Sequence, residues 1–174
     1  MPKAKAMKLT NLLLFLLVVA CGTAETSDIE VIKLKRNTVD SIISASDTVV
    51  VEHPNGEVYD VMETYYRNGS PMATRLLRDS LGNVRTIITL REGHYLQSRN
   101  YYANGQLEGK LSYSVPGILD GPATYFYEDG RISAKGTYKE SNRWGKWSNY
   151  DENGRLVSID YYDERGNIVK TEKP

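Results

Sequence analysis

From Val49 to the C-terminus, aromatic and aliphatic positions alternate with polar ones, and turn-forming residues break the pattern at nearly constant spacing. The marks are Gly56, Gly69, Gly82, Gly93, Gly105, Gly117, Gly130, Asn142, Gly154 and Gly166, at intervals of 13, 13, 11, 12, 12, 13, 12, 12 and 12 residues. Tyr65, Tyr101, Tyr113, Phe126, Tyr138, Tyr150 and Tyr162 each lie four residues before a mark, and Leu107, Ile132, Leu156 and Ile168 each lie two after one. Asn-Gly and Asp-Gly pairs at Asn55-Gly56, Asn68-Gly69, Asn104-Gly105, Asp129-Gly130 and Asn153-Gly154 are strong hairpin signals, because both residues tolerate positive φ. Asn142 fills the one non-glycine mark by the same chemistry.

This pitch leaves roughly eight residues for a strand plus a turn. One strand per pitch sends successive turns to alternate rims. Gly56, Gly82, Gly105, Gly130 and Gly154 fall on one rim; Gly69, Gly93, Gly117, Asn142 and Gly166 fall on the other. The expected fold is all-β: a long antiparallel β-meander of hairpin repeats, with about ten strands. No stretch after Ser46 carries a sustained helical period with caps, so almost no helix is predicted there. The pitch also predicts aromatic columns. Tyr101, Phe126 and Tyr150 align on one face, joined by Tyr113, Tyr138 and Tyr162, while Tyr102, Tyr125, Tyr127, Trp147 and Tyr161 take the other.

The N-terminal pattern is different. Lys3, Lys5 and Lys8 precede the apolar run Leu12–Ala20, which is too short for a membrane span of about 20 residues but suits a cleaved export signal. Val18-Val19-Ala20-Cys21 resembles the bacterial lipobox. That resemblance implies cleavage before Cys21, acylation of its thiol and anchoring in a lipid bilayer, where each buried CH₂ contributes about 0.8 kcal/mol. Gly22, rather than Asp, follows the cysteine; under the enterobacterial sorting rule this favours the outer membrane of a Gram-negative cell. The expected organisation is a signal helix over 1–20, a lipidated cysteine and tether over 21–47, and a repeat domain over 48–172. Within the tether, Gly22–Asp28 is polar and too poor in apolar residues to order itself. Ile29–Leu34 is compatible with an edge strand or a frayed helix, and Val39, Ile42 and Ile43 sit at helical spacing.

Composition narrows the function. The 22 basic and 22 acidic residues balance, but three lysines belong to the leader, leaving 22 − 3 = 19 basic residues and a net charge of −3 after cleavage. That balance argues against nucleic acid as the partner, since nucleic acid calls for a basic stripe. Thirteen tyrosines, against two Phe and two Trp, suit half-buried strands with wet tips. A single cysteine excludes an intramolecular disulfide and any cysteine-based metal site.

The repeat itself is clearest at Gly121–Ile132 and Gly145–Leu156, with Tyr101–Leu107 beside them. In the second copy Gly145, Trp147, Tyr150, Gly154 and Leu156 follow the pattern G-x-W-x-x-Y-x-x-x-G-x-L, and these segments resemble the MORN-repeat variant. The likeness is good over about residues 101–170 and weak over 49–95, where Arg78 and Thr89 replace the aromatic residue and Pro71 the aliphatic one. The segments are also similar to the YwqK-like repeat proteins connected with toxin–antitoxin systems. The resemblance implies an elongated, single-layer antiparallel β-meander of hairpin repeats that serves as an interaction scaffold, and it carries over no catalytic residue.

His53 and His94 lie beside turns with no partner at ligand spacing, and Asp151-Glu152 and Asp163-Glu164 occupy turn positions; both sets suit solvated turns better than catalysis. No nucleophile motif and no phosphate loop is present. The expectation is therefore a protein that is not an enzyme, with no cofactor and no metal. Trp144 and Trp147, with Tyr125, Tyr127 and Tyr102, are the candidate partner-binding residues, because a single sheet cannot cover both faces and exposed aromatic surface attracts partners. The partner expected first is a protein of the cell envelope. A glycan is the alternative, since Tyr and Trp beside Asn, Asp and Arg suit sugar rings, and a neutralised toxin is another. Self-association through a sheet edge is also open. If the anchor reading holds, Cys21→Ser moves the protein from the membrane to the soluble fraction on cell fractionation; retention with membranes overturns it.

Overall fold

The computed structural model describes residues 33–34, 36–53, 60–115 and 117–174. The leader, Cys21, the start of the tether and the turn at Gly56 lie outside these. The described chain is one helix, α1 (Arg36–Ser44), and twelve strands. These are β1 (Thr48–Glu52), β2 (Val61–Tyr66), β3 (Met72–Arg78), β4 (Val84–Arg91), β5 (His94–Tyr101), β6 (Leu107–Val115), β7 (Ile118–Leu119), β8 (Gly121–Phe126), β9 (Ile132–Lys139), β10 (Asn142–Tyr150), β11 (Leu156–Tyr162) and β12 (Ile168–Glu172). All pair antiparallel in chain order in one open sheet, with the short β7 pairing only with β6. The meander order is as the turn spacing predicts, and the single layer is as the repeat resemblance implies. β7 and β8 share one pitch, interrupted at Asp120.

The turns on one rim are built alike. In the turns starting at Asp79, Tyr102, Tyr127, Asp151 and Asp163, the first residue's N–H donates to the fifth residue's carbonyl, and its own carbonyl accepts from the glycine N–H. The glycine φ values lie between 79° and 92°, a region closed to most side chains. Four of these turns lie on the Gly82 rim; the Asp163 turn repeats the design on the other. Asp151 and Asp163 each accept two backbone N–H groups across their turns, so these carboxylates lock hairpins, as their turn placement predicts. Asn142 behaves differently from expectation. It begins β10, and the positive φ falls on Glu140 (51°) and Ser141 (66°). A two-residue turn needs left-handed geometry at both central positions, and Lys139 already pairs with Asn142, so the turn sits one residue earlier.

Five of these hairpins and one of the two-residue turns also leave one residue without a partner on the neighbouring strand. Arg85, Glu108, Ser133, Val157 and Val169 are such bulges in the five hairpins, and Leu96 is the one beside the two-residue Glu92-Gly93 turn. Each extra residue reverses the alternation beyond it. Leu107, Ile132 and Leu156 therefore point to one face, and Tyr113, Tyr138 and Tyr162, six residues further on, point to the other. This corrects the predicted columns: Tyr101, Phe126 and Tyr150 stay together, but Tyr113, Tyr138 and Tyr162 join Tyr125 and Trp147, and Tyr161 changes sides.

The helix decides the character of the two faces. Leu34, Val39 and Ile42 pack on a core of Tyr65, Leu76, Val84, Ile87, Tyr101, Leu107 and Phe126. Lys33 bridges to Gln106 and the Leu34 N–H donates to the Gly105 carbonyl at 2.9 Å. The end of the expected tether is thus folded, because its helically spaced apolar residues find a sheet to cover. On the open face, Ala73, Leu77, Ile88 and Leu90 form a second cluster, and Ala123, Ala134 and Trp147 a third. The Asp163 carboxyl is held below its usual range by the Asn167 backbone N–H and then by the Asn167 side-chain amide. Because the folded pKa is depressed, the turn gains from this carboxylate above the ordinary Asp range and loses the gain as pH falls below about 4. The Asn167 amide resonance should therefore titrate with a midpoint below that of an unfolded peptide, and Asp163→Asn should abolish the titration.

Candidate interaction surface

The third cluster brings most of the sequence-selected aromatics together. Trp147 is completely buried, and its indole N–H donates to the Thr137 carbonyl at 3.0 Å. Tyr138 and Tyr162 meet it edge-on at 5.1 and 6.4 Å, and Tyr125 lies at 6.3 Å with its ring tilted by 30°. Gly136 leaves the space the ring occupies: a Cβ there would overlap the indole. The Arg143 guanidinium caps the other side at 4.2 Å from the ring centre and donates to the Tyr162 hydroxyl at 3.1 Å. Trp147 therefore offers no surface to a partner, contrary to the sequence reading. The bulge in β10 between Trp144 and Ser148 turns its ring onto a face with a glycine-sized hole.

Trp144 lies on the opposite face, 43% exposed, with the Lys139 ammonium 5.6 Å from its ring. Tyr102 and Tyr127 are struts between repeats. The Tyr102 hydroxyl donates to the Phe126 carbonyl and the Tyr127 hydroxyl to the Tyr150 carbonyl, each at 2.7 Å. Each reaches the next hairpin along, so one repeat registers the next. Burial, and then nearby carboxylates, raise both phenols above their usual range, so they are neutral donors at physiological pH. Tyr125 shares a 3.0 Å hydrogen bond with Tyr138, and burial followed by that bond raises its pKa further.

Next to this cluster lies a shallow groove of about 250 Å³, lined by Tyr102, Glu108, Tyr125, Ser133, Ala134 and Arg143. Two of its polar residues, Glu108 and Ser133, are the unopposed residues of successive bulges. The bulges thus place a carboxylate and a hydroxyl beside an aromatic ring and a guanidinium. Such a constellation can bind through apolar contact and directed hydrogen bonds. Sequence reading found Tyr102 and Tyr125 but missed Glu108, Ser133 and Arg143, since a bulge leaves no mark in the pitch. His53 and His94 are exposed, and among the described residues no group of three or more His, Cys, Asp or Glu is placed to hold a metal ion.

The family model for the MORN repeat variant matches residues 96–114, 119–140 and 145–164, covering β5–β6, β7–β9 and β10–β11. The hairpins that build the aromatic cluster and the groove are thus the ones that match the MORN-variant repeat model, and such repetition suggests a scaffold or binding role. No curated protein matches the chain. Among solved structures the chain is similar to the crystal structure of TarM, with 8% identity and a TM-score of 0.25, covering 82% of this chain and 24% of that one. It is also similar to a mutant TarM from S. aureus solved in complex with Fondaparinux, alpha-GlcNAc-glycerol and UDP, with 9% identity, a TM-score of 0.25 and the same coverage. The chain spans about a quarter of those proteins, and likeness at that score carries no argument about this one.

The different placement of the two tryptophans is directly measurable. Trp147→Ala should cost about 3–5 kcal/mol in urea unfolding, as for a fully buried aromatic ring. Trp144→Ala should stay within about 0.5 kcal/mol of wild type. Equal losses would contradict the assignment.

Proposed function

We propose that this chain is a non-enzymatic lipoprotein, exported and held at a membrane through acylated Cys21, whose hairpin sheet binds another protein of the cell envelope. On this reading the outer membrane is the site in a Gram-negative cell. The observation that carries the binding role is the groove of Tyr102, Glu108, Tyr125, Ser133 and Arg143 on matched MORN-variant repeats. The aromatic cluster supports it from beneath, so its walls are rigid before a partner arrives, which lowers the entropy lost on binding. Trp144 supplies an exposed aromatic on the other face and is the competing contact point.

A glycan is the second reading, because a partly exposed tyrosine ring beside a carboxylate, a hydroxyl and a guanidinium also matches a sugar ring. Toxin neutralisation, suggested by the likeness to YwqK-like proteins, is compatible with the same surface if the toxin acts in the envelope. A photocrosslinking residue placed in intact cells at Ser133, and separately at Trp144, distinguishes these readings. The proposal expects one protein adduct, stronger at Ser133 and lost with Glu108→Lys. An adduct at Trp144 alone moves the contact to the opposite face. Carbohydrate adducts favour the second reading, and the absence of any adduct at either position overturns the binding role.

A further inference from the structure

The two edges of the sheet are built differently. β12 ends the sheet with Ile168–Glu172, and its central Lys170 lies 5.3 Å from the Tyr161 ring and pairs with Glu172. A charged residue at the middle of an edge strand guards it, because a second β12 pairing symmetrically would set one Lys170 against another. β1 has no such guard. Its sequence is Thr48-Val49-Val50-Val51-Glu52, with no proline and no lysine, and every residue is exposed. Val49, Val50 and Val51 are 48%, 44% and 51% exposed on a strand paired only to β2 among the described strands.

The strand is also complementary to itself. Two copies aligned antiparallel about Val50 set Val50 against Val50, Val49 against Val51, and Thr48 against Glu52. No like charges meet, and Glu52 keeps its 3.7 Å ion pair with Arg75 on its own sheet. One position further out, Asp47 stands opposite His53. Such pairing has a two-fold axis normal to the sheet, so both helices lie on the same side and both grooves on the other. The symmetry closes after two copies.

We infer that β1 is the interface with a second copy of this chain, joining two sheets into one continuous sheet about the Val50 two-fold. This goes beyond the proposed partner binding and does not depend on it. Paired valines add cross-strand packing at an edge that has no second strand beside it among the described residues.

The test uses the full chain purified in detergent with Cys21→Ser, so that an introduced cysteine is the only thiol. Sedimentation should give the mass of two chains, and Val50→Lys should raise the dissociation constant about tenfold or more, with unchanged circular dichroism. Val50→Cys should crosslink under mild oxidation about tenfold faster than Val169→Cys on the opposite edge, since facing residues on paired strands lie within disulfide reach. A monomer at micromolar concentration overturns the inference. So does equal crosslinking from both edges, or a mass that grows without limit as β1 of one copy meets β12 of the next.

Discussion

The unopposed residue in each hairpin from β3 onward that carries a bulge is the constraint on which the rest of the sheet depends. A strand with unbroken alternation would keep all its apolar positions on one face, and a single layer would leave the other bare. One extra residue reverses the alternation partway along. In the repeats from β5 onward, the positions beside the Gly105, Gly130 and Gly154 turns face the helix side, and those near the opposite rim face the open side. Each half then packs laterally on its neighbours 24 residues away. A thin sheet thereby buries Tyr101, Leu107 and Phe126 on one side and Ala123, Ala134 and Trp147 on the other.

The same device shapes the surface. Bulged residues point where a regular strand would not send them, and Glu108 and Ser133 reach the groove this way. Tyr102 and Tyr127 tie successive hairpins by donating to a carbonyl one repeat along, so groove geometry is inherited from the repeat spacing. β3 and β4 carry aliphatic residues and no aromatic one, and there α1 lies on the sheet. The helix side chains pack on Leu76, Val84 and Ile87 together with the rings of Tyr65, Tyr101 and Phe126.

The sequence by itself determined the turns. Glycine and Asn-Gly placement follows from local backbone chemistry, so the rims and the meander order were legible without tertiary information. So were the turn roles of Asp151 and Asp163. Tertiary structure alone decided which face each residue takes, because a bulge depends on the register between two strands and leaves no trace in either. That is why Trp147, read as a binding anchor, is a core residue, while its near neighbour Trp144 is exposed. It is also why the helix at Arg36–Ser44 was only a spacing of apolar residues until a sheet stood opposite it: a segment this short owes its order to the surface it covers.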